Sequence, residues 1–234
     1  RPLLPQGTSR GARARCGDSS DSTSVASMRS FHSYTHHMIK PVALAHACRL
    51  LNHGPTVLVG SAHGGLRNVM AAAWSMPVEF DPPRVAVVID KRTLTRELVT
   101  ASGGFTLSIP CRQVLDLTYT VGSVGGADLA ASAGGDKFER YRIDAFDGPV
   151  LGLPLIGGCV AWLECRLIPE RHTEDAYDTC FGEVVSAQAD ARVFDGGHWD
   201  FRDDNTELHT LHHLGGGRFA WPARMVQARV LPAG

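Results

Sequence analysis

Between Thr56 and Lys91 the chain spells out three extended segments and separates them with residues that helices do not tolerate. Thr56–Ala62 is β-rich and closes on His63-Gly64-Gly65, a second extended segment runs from Arg67 to Trp74, and Pro82-Pro83 precedes the apolar strand within Arg84–Lys91. Paired glycines supply a positive-φ turn and paired prolines withhold backbone donors, so the stretch is pleated and hairpinned. Further along, Gly158–Ile168 and Thr179–Ala187 are rich in β-formers and too interrupted by glycine for long helices. Helical pattern is confined to connections. Thr93–Ser102 places Leu94, Leu98 and Val99 on one face and stops at Gly103-Gly104, and Val114–Val121 reads as another short helix. No βαβαβ alternation, GxGxxG or GxxxxGK[ST] occurs, which excludes a Rossmann domain and a P-loop NTPase. The pattern predicts a mainly β fold, a barrel with short flanking helices.

The 234 residues suffice for one sizeable domain. Residues 1–27, rich in Arg, Ser and Gly and lacking apolar periodicity, are expected to be a flexible extension, with the folded domain over 28–234. Gly7-Thr8-Ser9-Arg10-Gly11 matches the GxSxG of serine hydrolases but lacks the flanking strand and helix that give that pattern meaning. A formal net charge of −1 gives no global field for nucleic acid or acidic lipid. No apolar run approaches a membrane span, so a soluble, cytoplasmic protein is expected. The six cysteines form no CxxC pair and read as reduced, buried thiols.

After Phe105–Ile109, a half-buried strand ended by Pro110, Gly122–Gly135 is expected to be a long loop, with order resuming at Asp136-Lys137-Phe138. Asp204-Asn205-Thr206-Glu207 has capping-box spacing ahead of Leu208, Leu211 and Leu214, which predicts a helix stopped by Gly215-Gly216-Gly217. His209, His212 and His213 would share one face of that helix, but no third-ligand motif accompanies them and no metal is assigned.

Two neighbouring segments suit a flat, phosphorylated ligand. In Asn68-Val69-Met70-Ala71-Ala72-Ala73-Trp74 the small residues leave backbone amides approachable, beside a pliable methionine and a large aromatic ring. One strand later, Lys91-Arg92-Thr93-Leu94-Thr95 joins two cations and two hydroxyls at a helix N-terminus, the chemistry a phosphate needs.

These residues also carry a family resemblance. Lys40-Pro41-Val42-Ala43-Leu44, the Asn68–Trp74 segment, Met76-Pro77-Val78 with Asp81-Pro82-Pro83, Thr95 with Glu97-Leu98, Gly104-Phe105, Asp136-Lys137-Phe138, Ala161–Cys165, Phe181-Gly182-Glu183-Val184 and Leu214-Gly215-Gly216-Gly217-Arg218-Phe219 resemble, in order, the signatures of the flavin reductase-like (flavoredoxin) family. The resemblance implies an FMN-binding split β-barrel of Greek-key type, usually a homodimer. Asn68, Val69, Met70, Ala71, Ala72, Ala73 and Trp74 would line the isoalloxazine, and Lys91, Arg92 and Thr95 would hold the phosphate.

The implied activity is an FMN-dependent oxidoreductase that passes electrons from NAD(P)H to free flavin or a protein acceptor. The alternative is a flavoredoxin-like carrier reduced by a partner protein, and a third reading is a split-barrel binding protein without flavin. Ala71 and Ala73 stand where the family often has Thr and Ser, leaving backbone donors only. Tyr177 stands five residues before Gly182, where members often have a His on the nicotinamide side, and Phe219 replaces a common Tyr. Tyr177 and Lys137 are the candidates for the flavin's open face.

Overall fold

The computed structural model describes residues 38–131 and 135–231. Its strands are β1 (Ile39–Pro41), β2 (Val57–His63), β3 (Leu66–Ala72), β4 (Ser75–Phe80), β5 (Pro83–Val88), β6 (Gly104–Ile109) and β7 (Ala145–Asp147), then β8 (Pro154–Ile156), β9 (Ala161–Ile168), β10 (Thr179–Asp190), β11 (Phe194–Asp195), β12 (His198–Trp199), β13 (His212–Gly215) and β14 (Arg218–Ala220). The helices are α1 (Leu44–Ala47), α2 (Leu94–Ser102), α3 (Leu115–Ser123), α4 (Gly126–Ala131), α5 (Lys137–Arg140) and α6 (Arg171–Tyr177).

One antiparallel sheet carries the fold, in the order β3-β2-β6-β9-β10-β5-β4 with β1 added to β10. The mainly β architecture with short connecting helices is therefore as expected. Along β2, Val57 and Val59 enter one apolar cluster with Phe105, Leu107, Ile109 and Leu163. Leu58 between them enters a second cluster with Val69, Val121, Phe138 and Trp162. That period-two partition buries both faces of the central strands, each fully buried aliphatic or aromatic side chain contributing about 1.5–3 kcal/mol.

Helix α2 is set by its ends. The Thr93 hydroxyl accepts from the Arg96 amide at 3.2 Å, and Gly103 turns left-handed at φ 71° to stop it. Buried Arg96 donates to the Ile89 carbonyl at 2.9 Å and pairs with Glu174 at 3.5 Å, tying α2 to β5's exit and to α6.

Two expectations are corrected. Part of the predicted Gly122–Gly135 loop is helical: α3 continues to Ser123 and α4 begins at Gly126. The predicted C-terminal helix does not form; Asp203–Leu208 is a 3-10 stretch kinked at non-helical Asn205 (φ −126°) and His212–Gly215 pairs as a strand with Arg218–Ala220. Long-range bonds decide this: the Thr56 amide donates to the Leu211 carbonyl at 2.7 Å, and the His213 amide donates to the Thr56 hydroxyl at 3.0 Å. The three histidines consequently part. His209 is buried with both ring nitrogens against carbonyl oxygens, while His212 and His213 sit on the hairpin. Among the described residues no group of His, Cys, Asp and Glu could hold a metal ion.

No helix among the described residues is long and apolar enough to cross a membrane. Cys48, Cys111, Cys159, Cys165 and Cys180 are free and buried, and desolvation raises their thiols. The extension over residues 1–27 and its GxSxG match lie outside the described residues.

Candidate functional site

Strand β3 is one margin of the sheet, and the hydrogen-bond alternation shows which of its backbone groups are unspent. Leu167 donates its amide to Gly103, so the odd residues of β6 bond β9 and the even ones bond β2. Carried through the register, Val57, Val59 and Ser61 of β2 exchange bonds with Ala72, Met70 and Asn68 of β3. The amides and carbonyls of Arg67, Val69 and Ala71 therefore project from the outer edge. One carbonyl there is already engaged: Lys137 donates its Nζ to the Val69 carbonyl at 2.8 Å and to the Val121 carbonyl at 2.7 Å.

Beside this edge lies a cleft of about 280 Å³, lined among others by Asn68, Met70, Arg92, Thr95, Gly126 and Lys137. A larger recess of about 470 Å³ shares Asn68, Leu94, Gly126, Ala127 and Lys137 with it and adds Arg67 and Asp136. Together these have the concave, mixed-polarity character of a small-molecule site. Asn68 is fixed between its neighbours. Its Nδ2 donates to the buried Thr95 hydroxyl at 2.8 Å, and on the other side Gly126 approaches so closely that a Cβ there would lie 2.6 Å from Oδ1. Glycine at 126 is thus required by the close approach, not by turn geometry.

Lys137 is 2% exposed, and burial pulls its ammonium down to about 8. Asp136 caps α5 by accepting from the Glu139 amide and pairs with Arg67, whose guanidinium lies over the Phe138 ring at 4.5 Å. These contacts set α5 against β3, so that the lysine reaches the strand edge from within the fold. Arg92 lines the cleft from the exposed surface and forks onto Asp90, which it holds down to about 2.

The fold thus brings Asn68, Met70, Arg92, Thr95 and Lys137 to one cleft. Val69 and Ala72 are buried in the core. Ala71 and Ala73 line a smaller neighbouring cavity, and Trp74, 73% exposed, lies past the end of β3. Lys91 turns elsewhere, donating its Nζ to the Asp175 carbonyl and its amide to Asp178 at 3.1 Å. Tyr177 ends α6, is exposed, and meets the His172 ring edge-on at 5.8 Å. Sequence reasoning marked Gly122–Gly135 as a glycine-rich segment of functional character but gave Gly122, Gly125 and Gly126 no individual part in the site. Their clustering between two short helices was the available signal, since glycine marks close backbone approach.

The flavin reductase-like domain model matches residues 50–207, more than half the chain and every strand from β2 to β12. The chain belongs to the flavin reductase-like family. It is 54% identical over 191 residues to the Escherichia coli (strain K12) protein YddH, covering 80% of this chain and 97% of that one. A solved structure, the FMN-binding domain of a flavin reductase-like enzyme from Shewanella baltica OS155, is 42% identical with a TM-score of 0.77, covering 82% and 97%. The NADH-dependent FAD reductase of Streptomyces globisporus is 30% identical over 157 residues, covering 64% of this chain and 81% of that one. Large antiparallel sheet and short helices together are the family's FMN-binding split-barrel fold.

Proposed function

We propose that this flavin reductase-like chain binds FMN along the outer edge of β3 and passes electrons from NAD(P)H through it to free flavin or a protein acceptor. The observation that carries the reading is the cleft at that edge: Asn68, Met70, Thr95, Arg92 and Lys137 converge on it beside the first turn of α2, with the Ala71 amide projecting from the neighbouring strand edge. A phosphate suits that turn, where Thr95 and Arg92 line the cleft at the N-terminus of α2. Lys137 takes the place in the cleft that Lys91 does not occupy. When bound, FMN supplies the hydride and single-electron chemistry that amino-acid side chains lack. The chain's own part is to hold the polar rim on rigid strand backbone, to neutralise the phosphate, and to cover the cofactor with α3 and α4.

A flavoredoxin-like carrier is the second reading, favoured by Tyr177, which lies on α6 and does not line the cleft. A homodimer is part of the proposal. Strand β4 ends the sheet with Met76, Val78 and Phe80 exposed beside Trp74, an apolar margin of the kind a second copy covers. We place the protein in the cytoplasm, in keeping with the five buried thiols among the described residues, none of them in a disulfide.

The test is the visible spectrum of the purified protein, followed by anaerobic addition of NADH or NADPH. Flavin absorbance that bleaches is the expected result. Absence of flavin would remove both readings, and a bound flavin that stays oxidised would leave only the carrier.

A further inference from the structure

After the β13–β14 hairpin, residues 221–231 form an arm outside any strand or helix. Its start is fastened to the barrel. The Arg112 guanidinium lies over the Trp221 ring at 4.3 Å, the Pro222 carbonyl accepts from His209 at 2.7 Å, and the Met225 sulfur accepts the Phe201 amide at 3.1 Å. Beyond Met225, the one hydrogen bond among the described residues is local, from Gln227 to the Ala228 carbonyl. Val226, Val230 and Leu231 are 84%, 97% and 86% exposed, so the arm does not lie on its own copy's sheet. Apolar side chains open to this degree mark a surface meant for a partner. In extended form Val226, Ala228 and Val230 share one side. Arg224 and Arg229 are the arm's cations, and residues 221–231 hold no Asp or Glu.

The β4 margin matches the arm in length and in charge. Strand β4 is six residues long, and residues 226–231 are also six, a reach of about 20 Å when extended. The register sets Met76 beside Ala86, Ala86 beside Phe181 and Phe181 beside Ile168, an apolar row on one face of β4, β5, β10 and β9. At the end of β4 stand two exposed acids, Glu79 and Asp81. Glu79 faces Arg84 on β5, which makes Asp81 the acid for an incoming cation. The Val88 amide donates to the Trp74 carbonyl, so Trp74 and Met76 bond β5 while Ser75 and Pro77 turn outward. Proline has no donor, and the margin therefore receives side chains rather than an added strand.

We propose that the arm is exchanged between two copies of this chain: residues 226–231 of one copy lie along β4 of the other, with Val226 and Val230 against Met76 and Val78 and Arg229 beside Asp81. A two-fold dimer uses each arm and each margin once. The inference rests on the homodimer reading and names the segment that closes that interface.

A chain ending at Met225 keeps all three anchors and loses the free arm. Sedimentation velocity over a dilution series is expected to show its dimer dissociation constant raised at least tenfold. Val230→Glu is expected to do the same with an unchanged urea midpoint, because Val230 is open in its own copy. The exchange itself is read by mixing a Val230→Cys chain with a mass-tagged Val78→Cys chain, both carrying Cys16→Ser, and adding a short bismaleimide. A crosslink between the two chains is expected. Dimerisation as tight as the full chain's, in either the shortened chain or Val230→Glu, would overturn the arm and leave the β4 dimer standing. A crosslink formed only within one chain carrying both cysteines would overturn the exchange and lay the arm on its own margin. A full chain that stays monomeric throughout the series would remove the dimer reading and the arm together.

Discussion

The two margins of the sheet are built from similar strands and finished in opposite ways. At β3 the chain covers its own edge: α3, α4 and α5 pack nearby, Lys137 occupies the Val69 carbonyl, and Asn68 is 3% exposed. At β4 the margin is left bare, with Trp74 and Phe80 each 73% exposed and Met76 58% exposed. An unpaired strand edge is a liability that a fold must cover, charge or use. Here one edge is dressed with polar groups and a cleft, which fits a small ligand, and the other presents apolar side chains, which fits a protein surface.

The sharpest way to break this contrast is at Lys137. Lys137→Met strips the ammonium from two buried carbonyls, each unsatisfied group costing about 1–3 kcal/mol. The expected outcome is a loss of FMN affinity of about 100-fold and a lower unfolding midpoint in urea. Phe80→Glu tests the other edge. Size-exclusion chromatography with light scattering should show a dimer turned to monomer, while the monomer's stability shifts by only about 0.5 kcal/mol, as for other exposed sites.

A smaller effect is expected from Gly126→Ala, which forces a methyl onto Asn68. Overpacking of this kind costs about 1–3 kcal/mol, and isothermal titration should show FMN binding weakened about tenfold. The mildest is a pH effect. The Lys137 ammonium, lowered from 10.5 to about 8 by burial, is charged below 8 and neutral above, so FMN affinity should fall as pH rises past 8 in the wild type and stay flat in Lys137→Met. Stability of the cofactor-free chain runs the other way. Between 8 and 10.5 the unfolded chain holds the extra proton, so this group's contribution rises with pH across that window.

Much of the sheet was legible because its signals are local. The Gly64-Gly65 turn, the Pro82-Pro83 break and the Thr93 cap with its Gly103 stop each specify their own geometry. The C-terminal helix was misread because Leu208, Leu211 and Leu214 have helical spacing, while the strand is imposed by Thr56, 157 residues from His213. The cleft was legible in part. Asn68 and Thr95 stand in neighbouring segments, and one hydrogen bond joins them. Burial is what the sequence hides: nothing local distinguishes Lys91, exposed and turned to Asp175, from Lys137, enclosed behind α5. Trp74 shows the same limit, since an aromatic after small residues looks like a ring platform until the strand's end leaves it facing outward.

Amide hydrogen exchange with and without FMN tests the central claim most directly, because it reads individual backbone groups at both margins. FMN is expected to slow the Ala71 amide at least tenfold and to leave the Met76–Phe80 amides unchanged. Unaltered exchange at Ala71 in a chain that demonstrably binds FMN would contradict it.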